Sequence, residues 1–141
     1  MKSRHLSLRI SEEAYEGLEV LAHREGETVS ETVRRLIEEG RRMAEHPGIV
    51  FRPGLNEREA AVMRGPAVWK IIDVFPEWDD TWDIRSSEEL GATSVTAYQA
   101  MIAQRYHRDY PEEIDTIIRE NREAIEKAYS EWLATQGAAV S

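Results

Sequence analysis

Three polar side chains stand two residues apart near the start of the chain: His5, Ser7 and Arg9. On an extended backbone they share one face, offering a bidentate guanidinium donor, a hydroxyl that donates or accepts, and an imidazole nitrogen. That is the chemistry of hydrogen-bond recognition, not of bond breaking; its ordinary alternative is the solvated face of an edge strand. Asp79, Asp80 and Asp83 gather three carboxylates in one short stretch, but the glycine and terminal glutamate of a calcium loop are absent. His23, His46 and His107 share no metal-ligand spacing and read as surface or capping residues. Glu112 and Asp115 lie at i, i+3 of an expected helix start, where acids complement the helix dipole. The chain holds no glycine-rich phosphate loop, no Gly-x-Ser-x-Gly, no His-Glu-x-x-His and no cysteine. No catalysis, metal centre or organic cofactor is therefore expected.

The elements that must position these groups follow from periodicity. From His5 to Ile10, Leu6, Leu8 and Ile10 alternate with the polar triplet, the period-2 pattern of a half-buried strand. It is a single strand with no second one nearby, so its natural partner is the same strand of another subunit. Ser11 is placed to cap a helix that opens on Glu12 and Glu13, carries Ala14, Leu18, Leu21 and Ala22 on one stripe, and ends at Gly26. Ser30 reads as the cap of a second helix with Val29, Val33, Leu36 and Ile37 on one stripe, and with Arg34, Arg35, Arg41 and Arg42 toward its later turns. A strand and two helices of barely forty residues bury too little apolar surface to offset chain entropy without a second copy. The expected dimer core is Leu6, Leu8, Ile10, Leu18, Leu21, Val33, Leu36 and Ile37.

Pro-Gly turns in the stretch His46 to Gly54 break the helical pattern and flank an extended piece, Ile49 to Arg52, which divides the chain into domains 1–45 and 46–141. The second domain reads as helices near Asn56 to Met63, Ala67 to Val74, Ser86 to Leu90, Val95 to Tyr106 and Pro111 to about Thr135, with a loose tail from Gly137 to Ser141. Trp69, with Val68 and Ile72, reads as core. Trp78 and Trp82 alternate with acids and suit either a surface loop or a partner-binding hot spot. The fold class expected is mainly α.

The run Leu-Ser-Leu-Arg-Ile-Ser-Glu-Glu at 6 to 13, followed by Gly-Glu-Thr-Val-Ser-Glu-Thr-Val-Arg-Arg-Leu-Ile at 26 to 37, resembles the CopG-like ribbon-helix-helix repressors and antitoxins. The resemblance implies that two strands form an antiparallel ribbon lying in the DNA major groove. By position it makes His5, Ser7 and Arg9 the base-contacting residues, with Arg9 suited to guanine O6 and N7. Phosphate contacts would come from Lys2, Arg4 and the helix start at Val29, Ser30 and Glu31, although Glu25, Glu27 and Glu31 oppose an anion there. The segments His46 to Arg52, Pro66 to Trp69 and Tyr106 to Asp115 resemble a small helical domain of bacterial antitoxin-like proteins, often found beside PIN-type nucleases. This implies a bundle of helix-turn-helix type and a toxin-binding role.

Charge bears on both resemblances. The chain carries a net charge of −9, which opposes phosphate binding. The basic residues lead, however, and residues 46–141 hold 10 basic and 17 acidic side chains, a surface that attracts a basic partner. No membrane span or signal peptide is evident, and a cytoplasmic protein, nucleoid-associated when bound to DNA, is expected. The function expected is that of a homodimeric, sequence-specific transcriptional repressor, the antitoxin of a toxin-antitoxin pair, with double-stranded DNA, a second copy of itself (a tetramer on DNA included) and a PIN-like toxin as partners. One alternative is a dimeric structural or interaction protein that binds a protein partner without DNA. Another is a regulator that takes a small ligand among Trp69, Trp78 and Trp82.

Overall fold

A computed structural model describes residues 2–54, 56–75 and 95–140, with no side-chain detail for 138–140. The expectations for Trp78 and Trp82, for Asp79, Asp80 and Asp83, and for a helical turn at Ser86 to Leu90 lie outside these residues. The chain is mainly helical and divides into two compact units, Met1–Arg42 and Met43–Ser141. The division falls inside the last turn of a helix, slightly before the border expected at 45.

The first unit consists of residues 2–10, which carry neither helix nor strand, and helices α1 (Glu12–Glu25) and α2 (Val29–Glu45). Ser11 Oγ accepts from the Ala14 N–H at 3.1 Å and starts α1. Gly26 ends it at φ 66, a left-handed conformation that glycine adopts without steric cost. The start of α2 corrects the Ser30 expectation. Thr28 is the cap: its Oγ1 accepts from the Glu31 N–H, and the Glu31 carboxylate accepts from the Thr28 N–H, both at 3.1 Å. Thr28-x-x-Glu31 satisfies two orphan donors reciprocally, which Ser30 with Val33 three residues on cannot do.

The second unit opens with a hairpin, β1 (Ile49–Pro53) against β2 (Arg58–Val62), in antiparallel register with Ile49 opposite Val62 and Phe51 opposite Ala60. This overturns the helix expected over Asn56 to Met63. Local propensity at Glu59-Ala60-Ala61-Val62 favours a helix, but Ile49-Val50-Phe51 presents an extended edge whose backbone groups need a partner, and tertiary pairing wins. Gly48 enters the hairpin at φ 97, and a Cβ there would meet Ile102 Cδ1 at 2.5 Å.

Helices α3 (Val68–Val74), α4 (Ala97–Asp109) and α5 (Pro111–Val140) complete the described part of the unit. Val68, Ile71 and Ile72 of α3 meet Ala100, Ala103 and Tyr106 of α4 in one core with Ile49, Val62 and Ile114. The small alanines let the helices approach closely. Trp69 is half-buried against this core and donates its indole N–H to Glu59 Oε2 at 3.0 Å, so Trp69, Val68 and Ile72 are core residues as expected. Tyr106 is fully buried and donates to Glu113 Oε2 at 2.6 Å. Its ring lies 4.8 Å from that of Tyr110 and 5.4 Å from that of His46.

His46 is therefore buried, not a surface residue. Its Nε2 lies 2.9 Å from Asp109 Oδ2 without making a hydrogen bond. Pro111 ends α4 and opens α5, since it disfavours a helical Tyr110 and needs no amide partner at a first helical position. His107 and Asp115 face each other across this joint at 2.8 Å. The tail expected from Gly137 is instead the last part of α5, which stays helical to Val140.

Gly48→Ala should lower the stability of this unit by about 1–3 kcal/mol in urea unfolding, through left-handed strain and the Ile102 clash together. Tyr106→Phe should cost about 1 kcal/mol, the worth of one hydrogen bond whose aromatic packing is kept.

Candidate nucleic-acid interface

None of the eight residues assigned to the dimer core is buried within one copy of the first unit. Leu6, Leu8 and Ile10 are 70%, 62% and 45% exposed, and Leu36 and Ile37 are 39% and 51% exposed. Leu18, Leu21 and Val33 are half-buried, and Ala22 is the buried apolar residue of α1. Burying a Leu or Ile fully stabilises by about 1.5–3 kcal/mol, so these side chains leave roughly 5 kcal/mol per copy unrealised. The opposite residues of the leading segment, His5, Ser7 and Arg9, are all exposed, as are Lys2 and Arg4.

At the start of α2, Val29 and Ser30 occupy the first helical positions, whose N–H groups have no carbonyl a turn behind them. The Glu31 N–H differs, because Thr28 Oγ1 already accepts from it. Of the three backbone groups expected to hold a phosphate, two are thus open to one, beside the Glu31 carboxylate.

Charge pairing in this unit was missed by sequence reasoning. Arg35 Nη2 lies 2.8 Å from Glu27 Oε1, and its Nη1 lies 3.4 Å from Glu39 Oε2. Thr32, fully buried, shares its one hydroxyl proton between Glu27 Oε1 at 3.1 Å and the Thr28 carbonyl at 3.0 Å. Glu27 is therefore partly neutralised, which weakens its opposition to an anion at the helix start. The i, i+4 spacing of Arg35 and Glu39 was legible, but the link to Glu27 runs back into the loop before α2 and carries no periodic signal.

The hydrogen bond that Arg35 donates to Glu27 raises the Arg35 pKa, with burial acting against it. A raised arginine pKa leaves its stabilisation intact at every working pH, since loss occurs only as pH climbs through the folded value. Glu38 behaves oppositely. The hydrogen bond from Arg41, at 2.6 Å, and then that from Arg42, at 2.9 Å, hold its carboxyl below the usual range. That contribution is present above the ordinary glutamate pKa and lost as pH falls through the lowered folded value. Because Glu38 is half exposed, solvent screening keeps it small.

Glu27→Ala should cost about 1–3 kcal/mol in urea unfolding at fixed chain concentration, while Glu27→Leu combined with Arg35→Met should recover most of the loss. Glu38→Gln should lower stability slightly near pH 7 and flatten the fall below about pH 4, where the wild-type carboxylate takes up a proton and its contribution is lost. Comparison with protein-family models, with curated proteins and with solved structures finds no match to this chain.

Proposed function

We propose that the chain is a homodimeric, sequence-specific DNA-binding repressor of the ribbon-helix-helix type. The observation that carries this reading is the leading segment, where Leu6, Leu8 and Ile10 are exposed in one copy and alternate with an exposed donor set. Pairing two such segments antiparallel would satisfy their backbone groups and cover the apolar face with α1 and α2 of both copies. The polar face, His5, Ser7 and Arg9 from each copy, then forms a two-stranded ribbon of a width the major groove admits. Lys2, Arg4 and the N–H groups of Val29 and Ser30 are suited to flanking phosphates. In this reading the second unit is a bundle of helix-turn-helix type built on the hairpin.

The biological setting in this proposal is an antitoxin that represses its own promoter. The acidic balance of residues 46–141 supports it, because such a surface attracts a basic, nuclease-like protein. The same acidity favours a second reading in which the ribbon only dimerises. Glu31 beside the open N–H groups, and the chain's net charge of −9, both lower affinity for phosphate.

Selection from a random duplex pool, followed by fluorescence anisotropy on the enriched site, separates the two. The DNA reader should lose about 1–3 kcal/mol of discrimination on Arg9→Ala while sedimenting as an unchanged dimer. Its log affinity should fall with log salt by about 0.9 per phosphate contacted. An intact dimer that enriches no site, or whose binding ignores salt, would establish the dimerisation-only reading instead.

A further inference from the structure

The apolar pattern of α5 outruns the core that uses it. Ile114, buried, and Ile118, half-buried, lie on the same helix face as Ile125, Tyr129 and Trp132, by steps of four, seven, four and three residues. Ile125, Tyr129 and Trp132 are 60%, 59% and 54% exposed, and Leu133 beside them is 46% exposed. The Tyr129 and Trp132 rings stack with centroids 6.0 Å apart. One flank is uncharged, with Asn121, Ala124, Ala128 and Thr135, while Glu123, Lys127 and Glu131 occupy the far side.

We propose that this face is covered by the same face of α5 from a second copy, making a two-helix coil that adds a second contact to the dimer. Area selects that occupant. Four large side chains about half exposed offer roughly 400 Å² per copy, about half of the ~800 Å² per partner that holds a free-standing complex. A foreign partner would have to dock on that area unaided. A second copy arrives tethered, at an effective concentration of about millimolar order, a step that rests on the dimer proposed above. Charge agrees. From residue 119 onward Arg119, Arg122 and Lys127 nearly balance Glu120, Glu123, Glu126 and Glu131, in a chain of net charge −9. Two copies of this segment therefore meet with little of the repulsion that the rest of the chain would impose. The mixed, mildly acidic far side lacks the lysine and arginine excess of a helix that lies on an anionic membrane.

The chain has no cysteine, so a spin label enters at one place through Ala134→Cys, on the far side of the helix from the stripe. Pulsed dipolar spectroscopy on the full chain should show one narrow distance of about 20–40 Å, set by two helix radii and two labels. Ile125→Lys with Trp132→Glu should abolish that peak and weaken the sedimentation dimer roughly tenfold or more. The milder pair Ile125→Ala and Trp132→Ala, checked for full helicity by circular dichroism, should broaden the peak. A sedimentation dimer without the narrow distance would overturn this inference and leave the ribbon dimer standing, as would a narrow distance that survives both substituted pairs. A folded monomer at micromolar concentration would overturn the dimer itself, and this contact with it.

Discussion

The leading segment of this chain carries three aliphatic side chains at alternate positions, Leu6, Leu8 and Ile10, and all three are exposed in one copy. A short strand needs a hydrogen-bonding neighbour on at least one edge, and an apolar face needs cover. The two helices that follow can supply the cover only in part, since their own stripes are left half-buried or exposed in one copy. Everything proposed for the first unit derives from that deficit. The polar residues between the aliphatic ones become a recognition surface only if the aliphatic ones are buried, because burial is what fixes the register and holds the donors in a plane.

Electrostatics then limits what the surface can do. An acidic chain binds a polyanion only where its positive groups are concentrated and its negative ones are occupied. The first unit meets this in part: Glu27 is engaged by Arg35, Glu31 is engaged in the Thr28 cap, and Glu38 is engaged by Arg41 and Arg42. These are internal pairings of a kind that charge counts do not register. They lower the repulsion toward phosphate without creating a basic patch, so recognition in the proposed function leans on a few well-placed donors and on having two copies of each.

The second unit holds its core by a different logic. Its hairpin and helices close around Tyr106, whose ring touches Phe51, His46 and Tyr110 and whose hydroxyl is spoken for by Glu113. Alanines at positions 100 and 103 bring α4 close to its neighbours, and Ile114 is the last fully buried side chain of α5. Beyond it Ile118 is half-buried, the side chains that follow are mostly exposed as far as residue 137, and the backbone stays helical to Val140 with an amphipathic pattern intact. Among the described residues no helix is long and apolar enough to cross a membrane.

Local rules were readable wherever the deciding contacts were local. The Ser11 cap, the Gly26 stop, the helix stripes of α1 and α2, Pro111 at the head of α5 and the core positions of α3 all follow from neighbours within a few residues, and the amino-acid order alone determined them. The exposed Leu6, Leu8, Ile10, Leu36 and Ile37 of one copy accord with the small apolar area that so short a segment can cover. What the order could not determine was decided by contacts that no helical or strand period announces. Residues 58–62 have the local preferences of a helix and became a strand because β1 offered unpaired backbone groups. His46 looked like a turn residue and became core because two tyrosines some sixty positions away closed over it. Glu27 looked like a repulsive charge and became a half-buried partner because Arg35 reaches back from α2 to the loop that precedes it. For residues 58–62 strand pairing outweighed a local preference of about 1 kcal/mol or less, and in all three cases only the tertiary structure says where the deciding contacts fall.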